Sequence, residues 1–247
     1  GPRPMVLYAH GTTTSRGYNI ADITDPNNAA AGELGLIAAM FAAQGYIVVA
    51  PNYAGYDTSP LTYHPYLNAK QQAGEMIDSL KAARKALPNV PAGVQVSDNG
   101  KLFVTGYSEG GHVAMATMKA MQEQKMTVTA GAPLSGPYAM AMFGDAVFGG
   151  NVNVGGTVFG PLLATSYQRS YGNIYSQPSD LYAAPYSGYV DSLLPSSMGF
   201  NELLSSGKLP QTALFEQTPS GIYASLAAIS PASPTFAFAF APSNYLI

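Results

Sequence analysis

The stretch Lys101-Leu-Phe-Val-Thr-Gly-Tyr-Ser-Glu-Gly-Gly-His-Val-Ala-Met-Ala-Thr-Met constrains the fold of this chain more than any other. Leu102, Phe103, Val104 and Thr105 form a short β-prone run behind the turn signal Asp98-Asn99-Gly100, and over residues 113–121 the apolar spacing becomes that of a helix. The joint, Gly106-Tyr107-Ser108-Glu109-Gly110, has G-x-S-x-G spacing. A serine at such a bend is held in a strained backbone conformation, and Gly106 and Gly110 relieve crowding where strand and helix pass closely. The Ser108 Oγ is then expected to project from the strand's C-terminal end, facing N–H groups at a helix N-terminus that favour developing negative charge. The spacing alone is a weak signal in a chain with 26 glycines, but a strand before it and a helix after it make it specific. Ser108 is therefore the expected nucleophile for acyl transfer.

The remainder reads as repeats of strand followed by helix or loop. Residues 5–9 are β-prone and lead into His10-Gly11-Thr12-Thr13-Thr14, where glycine lets the backbone approach a ligand and the Thr12 N–H is the expected oxyanion donor. His10 is expected to pack and hydrogen-bond inside the fold, supporting the loop. Residues 29–44 are apolar nearly all round, with Gly45 as a C-terminal stop, and predict a buried helix. The strand over 46–51, with its continuous Ile-Val-Val, is expected to be parallel and covered on both faces. Asp57 is expected to cap or fix the following loop. His64 stands before Pro65 at the start of an amphipathic helix bearing Leu67, Ala73, Ile77, Leu80, Ala83 and Leu87, and is expected to be structural. His112, four residues past Ser108, is expected to pack on the helix or lie on its surface.

A fourth strand is predicted over 127–133. Four such repeats without hairpin signals argue for βαβ units and a parallel sheet, an α/β fold. From residue 139 the texture turns rich in Gly, Pro, Ser and Tyr, with helical pieces expected at 157–171, 189–194, 201–205 and 222–229. Residues 1–138 are thus expected to form the core, 139–234 an inserted helical lid and 235–247 a connector containing the alternating Phe236-Ala-Phe-Ala-Phe240. Lid residues Met140, Met142, Phe143, Phe148, Phe159, Tyr167, Tyr171, Phe200, Phe215 and Tyr223 are candidates for an apolar acyl pocket, or simply for core.

Composition narrows the function. Charged residues are 10% of the 247, net charge is −3, and only 11 are Lys or Arg, so no basic surface for nucleic acid is expected. No run of about 18 apolar residues marks a transmembrane segment. The absence of Cys removes disulfides and thiolate metal sites, and neither metal nor cofactor is expected. Few charges with many Tyr, Asn, Ser and Gly hint at a secreted or periplasmic protein. The chain opens on Gly1-Pro2-Arg3-Pro4 straight into a strand, so no signal peptide is expected within it; a processed N-terminus and a fragment both fit.

His10-Gly11-Thr12 at the end of one strand, Gly106-Tyr-Ser-Glu-Gly-Gly111 at the end of another and Ser135-Gly-Pro-Tyr138 after the next resemble the α/β-hydrolase superfamily. Within it, Tyr63-His-Pro-Tyr-Leu67 and the Gly-Tyr-Ser-x-Gly-Gly bend resemble bacterial secretory-lipase-like serine esterases. The resemblance covers residues 5–138 and implies an α/β-hydrolase-type parallel sheet flanked by helices, with an inserted lid and without its outer strands. It implies a nucleophile elbow at Ser108, an oxyanion hole from the Thr12 and Glu109 backbone N–H groups, and a small-molecule ester substrate with an apolar acyl or alcohol part. That superfamily orders its triad Ser, Asp, His, whereas His10, His64 and His112 match no catalytic position, so the triad acid and histidine are expected outside residues 1–247. The alternatives are a catalytically inactive binding protein on the same scaffold, or a peptidase or acyltransferase.

Overall fold

A computed structural model of the chain describes residues 1–90, 96–140, 142, 154–210 and 214–215. These residues form two units. The first comprises Gly1–Thr12, Gly17–Asp57 and Leu67–Pro137; the second takes Thr13–Arg16, Thr58–Tyr66 and the described residues from Tyr138 onward.

The first unit is built on β1 (Pro2–Ala9), β2 (Ile47–Val49), β3 (Ser97–Tyr107) and β4 (Ala130–Leu134). They form one all-parallel sheet in the order β2-β1-β3-β4. Parallel neighbours need long crossovers, and each crossover carries a helix: α1 (Ala31–Met40), α2 (Ala69–Ala86) and α3 (Glu109–Glu123). Strand β1 reads as a continuous apolar run because it is covered on both faces: Met5, Val6, Leu7, Tyr8 and Ala9 are all buried. Each large apolar side chain hidden in this way contributes about 1.5–3 kcal/mol relative to exposure.

Helix α2 is capped by Asn68, whose side chain accepts a hydrogen bond from the Gln71 N–H at 3.2 Å, and buries Ala73, Met76, Ile77 and Leu80. Helix α3 packs beside it on the same face of the sheet. Position 131 of β4 points at that face, since a Cβ on Gly131 would meet Met118 Sδ at 2.0 Å.

Three expectations are corrected. Helix α1 is not buried: Ile37 alone of its residues is, while Leu36 and Met40 are more than half exposed. They border an open groove of about 860 Å³ on the sheet face that α1 leaves uncovered, lined also by Phe103, Thr105, Ala132 and Leu134. The Gly45 stop does hold, at φ 91° with its N–H donating to the Ala42 carbonyl. Strand β2 is parallel as expected, but it is the sheet's edge, so Ile47 and Val48 are only half-buried and only Val49 is buried. Finally, Asp98-Asn99-Gly100 is not a turn before the strand but a bulge inside β3: pairing runs Arg3 with Asp98, then slips to Met5 with Leu102. Gly100 takes φ 84°, Asp98 Oδ1 accepts the Gly100 N–H at 2.7 Å, and Asn99 Oδ1 accepts the Lys101 N–H at 2.9 Å. These side chains replace the ladder partners that a bulge removes, which is why the same residue types serve in turns and here.

The second unit contains α4 (Val154–Tyr171), α5 (Phe200–Ser205) and short 3-10 turns at Pro178–Asp180, Tyr186–Gly188 and Val190–Ser192. Ser15 and Ser196 form a parallel bridge, with the Ser196 N–H donating to Thr14 O and the Arg16 N–H to Ser196 O, both at 2.7 Å. Arg16 also donates to the Leu61 and Ser59 carbonyls at 2.9 Å each, gathering the unit's separate segments. Of the pocket candidates, Met140, Tyr167 and Phe215 are buried, whereas Met142, Phe159, Tyr171 and Phe200 are exposed. Phe143, Phe148 and Tyr223, the helix expected at 222–229, the alternating 236–240 stretch and the 235–247 connector lie outside the described residues.

Candidate active site

The bend between β3 and α3 holds strained backbone at the C-terminal ends of the strands. Ser108 has φ 58° and ψ −122°, a region that side-chain-bearing residues rarely occupy. Its N–H donates to Leu134 O at 3.0 Å, and its carbonyl accepts from the Gly111 and His112 N–H groups at 2.9 and 3.3 Å, opening α3. The residue is partly exposed between the buried Gly106 and Glu109.

The glycines around it are required by space. A Cβ on Gly106 would lie 2.4 Å from Gly110 O and 2.5 Å from Ala9 O. One on Gly110 would lie 2.0 Å from Ala9 O, and one on Gly111 2.3 Å from Leu134 O. Strand–helix crossing is thus so close at this point that only hydrogen fits, and the start of α3 is pressed against the ends of β1 and β4.

That contact brings the His10-Gly11-Thr12 loop alongside. Ala9 pairs with Gly106, and a Cβ on Gly11 would sit 3.5 Å from Tyr107 O, the carbonyl just before Ser108. His10 is fully buried: its ring stacks on Tyr53 at 3.9 Å and lies 4.6 Å from that of Tyr18. Its Nδ1 is 2.8 Å from Gly11 O, and since a carbonyl only accepts, that nitrogen carries the proton. The Tyr53 hydroxyl donates to His10 O at 2.9 Å.

Glu33 was not singled out from the sequence. Its Oε1 accepts from the Tyr8 hydroxyl at 2.7 Å and from the Gly11 N–H at 3.0 Å, and its Oε2 accepts from the Tyr18 hydroxyl at 2.7 Å. Burial and then the Glu33 charge push both phenols far above their ordinary range, so both remain donors at any physiological pH. The only sequence hint was an acidic residue in a helix's first turn.

Glu109 follows Ser108 with its side chain fully buried, its Oε1 accepting from Gln72 Nε2 at 2.7 Å. Its backbone N–H is at the start of α3. His112 is buried, not on the helix surface, and burial pushes its imidazole down to about 4 despite the opposing pull of Glu109. His64 is buried in the second unit near Tyr66. Among the described residues none of the three histidines is hydrogen-bonded to Ser108 Oγ. No group of three or more His, Asp or Glu side chains among them is arranged to hold a metal ion. No helix among them is long and apolar enough to cross a membrane.

A parallel sheet whose strands end beside a serine on a strained strand-to-helix bend is the architecture of the α/β-hydrolases. Residues 33–157, half of the chain, match the prolyl oligopeptidase family, and the chain belongs to it. The rice cell wall degrading esterase LipA from Xanthomonas oryzae is similar in structure, with a TM-score of 0.81 and 30% identity over 98% of this chain and 62% of that one. A structure from Legionella pneumophila (TM-score 0.78, 24% identity, 97% of this chain and 61% of that one) and lipase A from Candida antarctica (TM-score 0.53, 13% identity, 78% and 43%) share the fold. The chain therefore spans about 62% of the length of LipA. No curated protein sequence matches it.

Proposed function

We propose that the protein is a serine hydrolase that cleaves carboxylic esters through an acyl-enzyme on Ser108. The observation that carries this reading is the Ser108 backbone at φ 58°, held between glycines that admit no side chain. Such strain persists only where the surrounding structure enforces it, and it lifts a hydroxyl clear of the sheet for attack. Ser108 Oγ attacks the ester carbonyl carbon while its proton passes to a histidine outside residues 1–247, which then returns it to the departing alcohol. The tetrahedral oxyanion is held by the Thr12 and Glu109 backbone N–H groups, a stabilisation of about 3–4 kcal/mol per well-placed donor. Water then attacks the acyl-enzyme, releasing the acid and restoring the serine. The substrate is a small molecule with an apolar acyl or alcohol part, and export to the periplasm or medium suits the named role of LipA on plant cell walls.

A second reading, a peptidase, is favoured by the family to which the chain belongs. The test is to treat the full-length protein with a fluorophosphonate probe and to compare turnover of p-nitrophenyl acyl esters with that of prolyl p-nitroanilides. Labelling of Ser108 with ester turnover alone supports the esterase. Preferential anilide turnover replaces it with the peptidase, and failure of a folded sample to label leaves a binding protein.

A further inference from the structure

Glu33 gathers three donors, two from the end of β1 and the loop that continues it and one from the stretch after Gly17, at sequence separations of 25, 22 and 15 residues, onto one carboxylate. Two of these donors are phenols from β1 and from the loop after Gly17, and the third is a backbone amide of the loop beside Ser108. A half-buried carboxylate in the first turn of α1 is also favoured by the positive end of the helix dipole. The amide of Gly11 is thereby occupied and turned toward α1. On the opposite side the same loop is fastened by Tyr53 to His10 O and by His10 Nδ1 to Gly11 O. A short loop anchored on both flanks has little freedom left, and the next amide in sequence is that of Thr12.

We propose that Glu33 is a positioning residue of the oxyanion loop: by taking the Gly11 N–H on its Oε1 while bracing Tyr8 and Tyr18, it fixes the His10–Gly11 peptide, and this, with Gly11 O held by His10 Nδ1, sets the adjoining Gly11–Thr12 peptide so that the Thr12 N–H is aimed at the carbonyl oxygen of the substrate. This rests on the serine-hydrolase reading above. A charge-assisted bond is roughly twice as strong as a neutral one, and an oxyanion donor misplaced by a fraction of an ångström loses much of its effect on the transition state while scarcely altering ground-state binding. Glu33 acts through Gly11 and does not touch the reacting atoms.

The experiment compares wild type, Glu33→Ala and Glu33→Gln in the full-length protein. Active serines are counted by the acyl burst, so that a partly unfolded sample does not imitate a slow one. For Glu33→Ala the expected result is kcat per active serine down about ten- to hundredfold with KM within about twofold. Glu33→Gln is expected to fall between, because its amide oxygen still accepts from Gly11 while its NH2 cannot accept from Tyr18. Exchange of the Gly11 amide hydrogen is expected to be at least about tenfold faster in Glu33→Ala. Unchanged kcat per active serine in Glu33→Ala, or unchanged Gly11 exchange, would overturn the positioning role and leave the hydrolase reading intact. Absence of both labelling and turnover in wild type would overturn the hydrolase reading and the positioning role with it.

Discussion

The closeness of the crossing at Gly110 makes a sharp prediction about Gly110→Ala. The added methyl would stand 2.0 Å from Ala9 O, 2.7 Å from Ala9 C and 2.8 Å from His10 O, all backbone atoms that cannot rotate aside. An ordinary contact needs about 3.5 Å, so α3 must withdraw from the end of β1 by more than about 1 Å. That withdrawal loosens Val113, Ala114, Thr117 and Met121, all buried on α3. The expected cost is about 3–5 kcal/mol, above the usual range for overpacking because the obstacle is main chain. In a protein of this size it lowers the melting temperature by roughly 6–20 °C. Gly74→Ala is the matched control: Gly74 is exposed within α2 with nothing within 4 Å of its added Cβ. That substitution should raise stability by about 0.5–1 kcal/mol through helix propensity alone. Urea denaturation followed by circular dichroism measures both. A Gly110→Ala midpoint within about 0.5 kcal/mol of wild type, or a shift of both variants in one direction, would refute the idea that close approach rather than flexibility explains the glycine.

Other consequences can be measured on the same protein. Ser108→Gly should relieve the positive-φ strain and stabilise the fold by about 1 kcal/mol relative to Ser108→Ala while abolishing fluorophosphonate labelling; equal stabilities would argue against strain. His112, held at about 4 against an unfolded value near 6.5, is neutral in the fold while the unfolded chain takes up a proton. Its contribution is thus complete above about pH 6.5, falls by about 3 kcal/mol as pH drops to about 4, and changes no further below that. His112→Gln should remove that slope, and a slope unchanged in the variant would assign it elsewhere. Asp98 accepts both Arg84 Nε at 2.9 Å and the Gly100 N–H at 2.7 Å, so Asp98→Ala should cost about 1–2 kcal/mol and Arg84→Ala about 0.5 kcal/mol, the reverse order counting against a bulge held by Asp98.

Much of the fold is legible in the sequence because it is encoded locally. The Ile-Val-Val run, the amphipathic stripe after Pro65, the Gly45 stop and the change of apolar period on either side of Ser108 each act within a few residues, and each leads to the element found. The glycines of the bend belong with them, since their spacing around Ser108 already implies a crossing that excludes side chains. Asp98-Asn99-Gly100 shows the limit of such reading. Its chemistry of self-satisfied backbone serves a turn and a bulge alike, and only the pairing of β1 on both sides of Asn99 decides for the bulge. The exposure of Leu36 and Met40 was equally hidden, because an apolar helix does not state how much of the sheet it will cover.

The sequence by itself determined the α/β alternation and the place of Ser108 within it, because propensity, capping and period are properties of neighbouring residues. The tertiary structure alone decided that His112 is buried and that Glu33 meets Tyr8, Gly11 and Tyr18. Those outcomes depend on where the crossovers return each element, and a carboxylate that gathers donors from up to 25 residues away leaves no local pattern to read.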